Sequence, residues 1–419
     1  MSLALSLYRA GTGLIEPLAP MILERRVRRG KEDRARLGER LGHAGLPRPA
    51  GRALVWLHGA SVGESLSLLP VVERLRTERP EVAILVTSGT TTAAELLARR
   101  LPEGAMHQYV PVDAPGAAAR FLDHWRPSLA VFVESELWPN LLLNARERGV
   151  KLALLSARIG ADSASGWGRA GSAARTLFSA FDLILPQDEE AAERLAALGA
   201  RDDGRLNLKF AGDALPVDEA VVAMVNATVG EHPLLLAAST HPGEDEIVLD
   251  AFAQVADRPE RPLLVIVPRH PARGPDIAAL ARRRGFETRL RSLGEAPTAA
   301  RVYVADTLGE LGAWFRLART ALIGGSLVEG VGGHNPLEAA RLGCPAATGP
   351  WFENWKGVFE TLIAADDIAV VGNADDLAAH FADAIAHRDE SRAVRAQALI
   401  AREAGALDAA ITRLKALIG

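Results

Sequence analysis

Several acidic, basic and hydroxyl side chains stand where an apolar run gives way to a loop, and their types suit transfer chemistry. The run 53–58 is apolar and is followed by Gly59-Ala60-Ser61-Val62-Gly63-Glu64. A carboxylate at such a turn can take a proton from a hydroxyl group. The same residues also spell a capping box, with Ser61 as N-cap and Glu64 reaching back to its amide. Helix polarity favours an acidic group there by a few tenths to about 1 kcal/mol. Both readings of Glu64 stand, with Ser61 and Gly63 beside it. Glu134 and Glu136 directly follow the apolar run 129–133, with Trp138 close behind. Carboxylates at the end of a buried strand are costly unless they are paired or face a solvated opening.

Positive charge comes from Lys209, in Asn207-Leu208-Lys209-Phe210, and from Arg269, in Pro268-Arg269-His270-Pro271. An arginine between two prolines can grip an anion through two parallel N–H bonds, and could equally pair with a structural carboxylate. Thr90 lies in the hydroxyl-rich run 87–92, which suits either a sugar or phosphate contact or a plain helix cap. Ser239-Thr240-His241-Pro242-Gly243-Glu244 occupies the loop one strand before Arg269. In the stretch 324–349, Gly324-Gly325-Ser326 ends a strand, and Gly330, Gly332 and Gly333 leave room for close ligand approach. His334 and Asn335 follow, Pro336 fits the first helical position, and Glu338 completes a second capping box. Amides at that helix start would face a phosphate, and Glu338 would accept from ribose hydroxyls. A well-capped helix without a ligand is the plainer alternative.

These groups need strands to carry them. Apolar runs at 53–58, 82–87, 129–133, 152–156 and 183–186, with a shorter one at 108–111, alternate with helical stretches such as 66–78, 92–100, 117–125, 138–148 and 189–198. A spacing of about 25 to 30 residues per unit is what parallel crossovers require. After a Gly- and Pro-bearing pause at 211–218 the design repeats, with strands at 234–238, 263–268, 302–305, 321–324 and 368–371 and one long helix over 391–418. The expected fold is α/β: two Rossmann-like doubly wound domains facing across a cleft, with function in the loops at strand carboxyl ends. The expected division is a membrane-proximal segment 1–45, domains 46–212 and 213–390, and a helix 391–419.

Composition narrows the classes. A net charge of −4 argues against a general nucleic-acid binder. The lone Cys344 excludes an internal disulfide and suits a reducing, cytosolic setting. The histidines lack metal-ligand spacing and no Asp-x-Asp pair occurs, so neither a metal nor another cofactor is expected. Residues 1–23 are mostly apolar but are interrupted by Arg9, Glu16, Pro17 and Pro20, too broken for a membrane span and a poor signal peptide. Residues 24–40 then carry eight basic side chains against four acidic ones. That order suits an interfacial anchor held by apolar contact and anionic headgroups; a helix capping the first domain is the alternative.

Taken in order, GASVGE, ESELWPN, NLKF, STHPGEDE, PRHP, DTLGELG and GGHNPLEAA, with RARLGERLG before them, resemble the 3-deoxy-D-manno-octulosonic acid (Kdo) transferases of lipid A and lipopolysaccharide assembly. The resemblance spans nearly the whole chain. It implies a GT-B glycosyltransferase fold, CMP-Kdo as donor, a lipid A precursor as acceptor, and a place on the cytoplasmic face of the inner membrane of a Gram-negative cell. It further implies Glu64 as general base, Lys209 and Arg269 as donor contacts, and Asn335 and Glu338 at the nucleotide. Gly325, Ser326, Gly333 and His334 join the donor group, and Ser61, Gly63, Thr90, Glu134 and Glu136 the acceptor side. PRHP continues as Ala272-Arg273-Gly274, and Glu329-Gly330-Val331 precedes GGHN, so the pattern is looser in those loops. Two other classes fit a two-domain chain with an HN-P-E helix start: a UDP-sugar 2-epimerase-like isomerase, told apart by a preference for UDP over CMP, and a non-catalytic nucleotide-binding module.

Overall fold

The computed structural model describes residues 2–387 and 390–419; residues 1 and 388–389, which fall within the expected segments 1–45 and 213–390, lie outside the described residues. The chain divides into two compact units, one of Met1–Gly212 with Glu403–Gly419 and one of Asp213–Arg402.

In the first unit six strands form one parallel sheet: β1 (Leu54–His58), β2 (Ala83–Ser88), β3 (Ala105–Tyr109), β4 (Leu129–Val133), β5 (Lys151–Ala157) and β6 (Leu183–Pro186). Their spatial order is β3-β2-β1-β4-β5-β6. The order therefore reverses between β1 and β4, and the crevice beyond such a reversal is where ligands of doubly wound sheets bind. Helices cover both faces, which is why β1 is apolar on both sides rather than alternating. Trp56 packs with Phe121 and Phe132 on one face, and Val55 and Leu57 with Val131 on the other.

The second unit repeats the plan with β7 (Leu234–Thr240), β8 (Leu263–Pro268), β9 (Thr288–Leu290), β10 (Val302–Val304), β11 (Thr320–Ile323), β12 (Ala346–Thr348) and β13 (Ile368–Val370). These too are parallel, in the order β13-β12-β11-β7-β8-β10-β9, so the reversal falls between β7 and β11. The sequence pattern misses β9 and β12, because Thr288-Arg289-Leu290 and Ala346-Ala347-Thr348 lack the two β-branched apolar side chains that mark each of the equally short β10 and β13. It also draws one helix over 66–78 where there are two, Val62–Ser67 and Leu69–Glu78. Pro70 explains the break, since it opens the second helix and cannot continue the first.

The N-terminal segment folds as helices Leu3–Ile15 and Ala19–Val27 joined by a tight turn at Glu16–Leu18. It docks on the first unit through Tyr8, whose hydroxyl donates to Asp113 Oδ2 at 2.9 Å, and through Glu16, which accepts from the Gly116 amide at 2.8 Å. Leu5, Ala19 and Leu23 are buried, whereas Leu3, Leu7, Leu14, Leu18 and Met21 are exposed. No helix among the described residues is long and apolar enough to cross a membrane.

Candidate active site

At the β1 end, the capping box around Glu64 is fully made. Ser61 Oγ accepts from the Glu64 amide at 3.3 Å, and Glu64 Oε2 accepts from the amides of Ser61 at 3.1 Å and Ala60 at 2.7 Å. Both return bonds go to Oε2, and among the described residues Oε1 accepts none. Capping and proton transfer are thus compatible: one oxygen locks the side chain and the other is open to an incoming hydroxyl. Burial pushes this carboxyl above its ordinary range, and the nearby charge of Glu136 adds to the effect. The two amide bonds offset only part of that, and Glu134 contributes a further upward push.

The acidic pair stands at the end of the adjacent strand β4. Glu136 Oε2 lies 3.1 Å from His58 Nε2 and accepts from Trp138 Nε1 at 2.5 Å. His58 is fully buried, and its Nδ1 lies 2.9 Å from Thr87 Oγ1, which also accepts from Trp56 Nε1 at 2.8 Å. The network assigns the proton to Nε2 of His58, facing the carboxylate, because Thr87 can then give its own proton to Nδ1. Burial acts to raise Glu136, yet the His58 and Trp138 bonds outweigh it and hold the carboxyl below its usual range. Two neighbouring carboxyls pushed in opposite directions are the arrangement expected of a proton acceptor beside a fixed charge.

Glu134 is differently placed. It sits at φ +53°, is buried, and accepts from Arg158 Nε at 2.6 Å. Lys209 lies in this same unit, in the short turn Leu208–Ala211, within electrostatic reach of both. Burial lowers the Lys209 ammonium most; Glu134 opposes that and Arg158 adds to it. Thr90 caps the helix Thr91–Arg100, its Oγ1 accepting from the Ala93 amide at 3.2 Å. With Ala60 and Gly89 it also lines a groove of about 520 Å³ whose opposite wall is Ile15, Ala19 and Ile22 of the N-terminal helices.

At the β7–β11 reversal the second unit gathers its own groups. Glu244 is fully buried, with Oε2 accepting from the amides of His241 at 2.8 Å and Gly325 at 2.7 Å. Its Oε1 accepts from the amides of Ser326 at 3.0 Å and Leu327 at 2.9 Å. The N–H groups of Gly325 and Ser326 are therefore taken, and neither is open to a ligand. His334 and His241 stack at 5.1 Å between ring centroids, with their Nε2 atoms 2.9 Å apart, so one must donate and the other accept. Burial, then the charges of His241, Arg269 and His270, lowers His334 to about 4; burial also lowers His241. Arg269 is exposed, and among the described residues its guanidinium makes no hydrogen bond. Gly333, at φ +74°, lies where a Cβ would come within 3.0 Å of the Phe352 backbone.

The second capping box does not form. The helix is only Leu337–Arg341, Asn335 Oδ1 accepts from the Leu337 amide at 3.0 Å, and Asn335 Nδ2 donates to Glu338 Oε1 at 3.4 Å. Asn335 and Glu338 are thus brought together side chain to side chain. Burial holds Glu338 above its usual range despite Asn335, Arg341 and Arg269. His58, Arg158, His241 and Glu244 are polar partners that the sequence reading left without roles. The available signals were a histidine closing an apolar strand before GASVGE, and the STHPGE run itself.

Comparison with known proteins decides the family. The chain is 34% identical over 374 residues to a probable 3-deoxy-D-manno-octulosonic acid transferase, mitochondrial, of Arabidopsis thaliana, covering 87% of this chain and 83% of the relative. The chain belongs to the 3-deoxy-D-manno-octulosonic acid transferase family. A Kdo transferase of Bordetella pertussis is 36% identical over 364 residues, covering 83% and 84%. The family model described as 3-Deoxy-D-manno-octulosonic-acid transferase (kdotransferase) matches residues 35–212. Among solved structures, the UDP-GlcNAc 2-epimerase of Neisseria meningitidis bound to UDP-GlcNAc superposes with a TM-score of 0.55 at 13% identity, over 84% of this chain and 99% of that one. MurG of Acinetobacter baumannii gives 0.53 at 11%, over 83% and 94%. At such identities these likenesses speak for the fold alone. By its family the chain is a glycosyltransferase, and its two parallel-sheet α/β domains have the GT-B type of fold.

Proposed function

We propose that this Kdo transferase moves Kdo from CMP-Kdo to a hydroxyl of a lipid A precursor, lipid IVA, with inversion at the anomeric carbon and Glu64 as general base. The observation that carries the reading is Glu64 itself: a desolvated carboxyl, locked through one oxygen and open at the other, beside a carboxylate held ionised. Glu64 Oε1 takes the acceptor's hydroxyl proton as that oxygen bonds to the anomeric carbon. The bond from that carbon to the CMP phosphate oxygen breaks, CMP leaves with the electron pair, and Glu64 later returns its proton to water. One displacement with one base inverts the centre.

The donor group is drawn from Arg269, His334, Asn335 and Glu338, with Lys209 also assigned to the donor. Arg269 and Lys209 offset the charge that grows on the departing phosphate. Glu338 suits a ribose hydroxyl. Gly333 keeps the loop close, and Gly325 and Ser326 shape it through their bonds to Glu244. Ser61, Gly63, Thr90, Glu134 and Glu136 belong to the acceptor side. The groove walled by Ile15, Ala19 and Ile22 runs to Ala60, one residue from the capping turn of Glu64, and we assign it to an acyl chain of the acceptor. The exposed apolar face of Leu3–Ile15, followed by the basic run to Arg40, suits a protein lying on an anionic cytoplasmic membrane face.

The test is direct. CMP-Kdo generated in situ is offered with a tetraacyl disaccharide phosphate, and product is read by mass and by the anomeric configuration of the new linkage. Mass gain of Kdo with an inverted linkage is the expected result. A retained configuration would end the single-displacement mechanism, and no transfer to the acylated acceptor would end the lipid assignment.

A further inference from the structure

Glu244 is a charged side chain with no route to solvent, placed at the point where the strand order of the second unit reverses. The chain reaches it through left-handed backbone, strained at Ser239 with φ +60° and supplied by glycine at Gly243 with φ +93°, and the β7–β8 register shifts between Ala238 and Thr240. Left-handed conformations of this kind persist where the surroundings over-determine them. What they achieve is to start the helix Glu244–Ala253 with Glu244, so that its carboxyl reaches across to the loop after β11.

Each carboxylate oxygen there accepts two backbone N–H groups. One of those amides belongs to His241 and another to Gly325. Gly325, at φ +71°, lies under the His334 ring: a Cβ built on it would meet that imidazole at 3.1 Å. Gly333 and His334 are tied back by amide bonds to the carbonyls of Gly325 at 2.7 Å and Gly324 at 3.2 Å. One carboxylate thus grips the backbone beneath both members of the His241–His334 pair.

We infer that Glu244 is a positioning residue for donor binding: its four accepted amide bonds set the His241–His334 pair and the 324–327 loop in the geometry that receives the donor's anionic group. This rests on the reading that the second unit holds the CMP-bearing donor. Glutamine cannot substitute for this carboxylate. Whichever way its amide turns, the NH₂ group faces two backbone donors, and two N–H groups lose their acceptor.

The experiment uses the full-length Glu244→Gln and Glu244→Asp proteins beside the wild type. It records CMP affinity by calorimetry, donor and acceptor KM, kcat at saturating donor, and the imidazole NMR signals. For Glu244→Gln the expected result is CMP affinity and donor KM weakened by about tenfold or more, acceptor KM and saturated kcat largely kept, and selective shifts of the His241 and His334 rings. Aspartate keeps the charge but falls a methylene short of the four amides, so a smaller loss of about threefold with the same ring shifts is expected. Wild-type CMP affinity in a folded Glu244→Gln protein overturns the proposal. If that protein does not fold, unchanged CMP affinity and unchanged ring signals in Glu244→Asp overturn it instead. A wild type that itself fails to bind CMP refutes the donor reading of the second unit, a separate failure.

Discussion

In the proposed mechanism Glu64 does two jobs with two oxygens, and substitution can separate them. Glutamine retains the capping pattern, which accepts Glu or Gln at the third position, but cannot act as a base. Glu64→Gln should therefore melt within a few degrees of the wild type and bind CMP normally, while transfer falls by about 10²–10⁴-fold. Turnover within tenfold of wild type would leave Glu64 only its cap. Its raised carboxyl also fixes the pH dependence. Activity requires the ionised form, so kcat/KM should fall on the acid side through a value above the usual glutamate range. Glu136→Gln removes a like charge, which lowers Glu64 and should move that limb to lower pH; an unmoved or upward-shifted limb counts against the coupling. At this scale the sequence displayed the reactive groups but not their partners. Glu64 and Ser61 are three residues apart and could be read together, whereas His58 meets Glu136 across 78 residues and Glu244 meets Ser326 across 82. Pairings of that separation are created by strand order, which local spacing does not encode.

The N-terminal helices carry several exposed apolar side chains close together in the sequence. Leu7 and Leu14 are 64% and 81% exposed, so charge can be introduced at both without opening a core. The double variant Leu7→Glu/Leu14→Glu should keep its melting temperature yet lose most of its co-sedimentation with anionic vesicles. Undiminished sedimentation would remove these helices from membrane contact. Deleting residues 1–23 is a less clean probe, because it strips Tyr8 from buried Asp113 and Glu16 from Gly116. The break before Pro70 went unread although the proline that causes it stands in the sequence, because the apolar spacing runs on through it. The failure of the second capping box was not legible, since Asn-Pro-Leu-Glu reads identically whether Glu338 reaches a backbone amide or the Asn335 side chain.

For the whole molecule, alternating strand and helix runs foretold two doubly wound sheets, and the strand ends predicted where polar groups would collect. A half-buried histidine adds a property that composition hides. His380 packs beside Thr320, with 2.7 Å between Nε2 and Oγ1, and burial lowers it to about 4, with Arg392 adding to this and Asp383 opposing. The unfolded chain takes up a proton near pH 6.5 that the folded chain refuses until about pH 4, so stability falls as pH falls through that window. At pH 5 the loss attributable to this ring is about 2 kcal/mol. Urea unfolding at pH 7 and pH 5 should show a smaller difference for His380→Gln than for the wild type, and equal differences would reject the assignment. Finally, Leu407, Ile411 and Leu414 belong to the same buried cluster as Val55 and Leu57 of β1. The amino-terminal half of the polypeptide thus waits for its last turns of helix before its interior is sealed. On the ribosome it must remain incomplete until residues 407–414 have been made, and a nascent chain arrested before them would show a greasy, unfinished surface to chaperones.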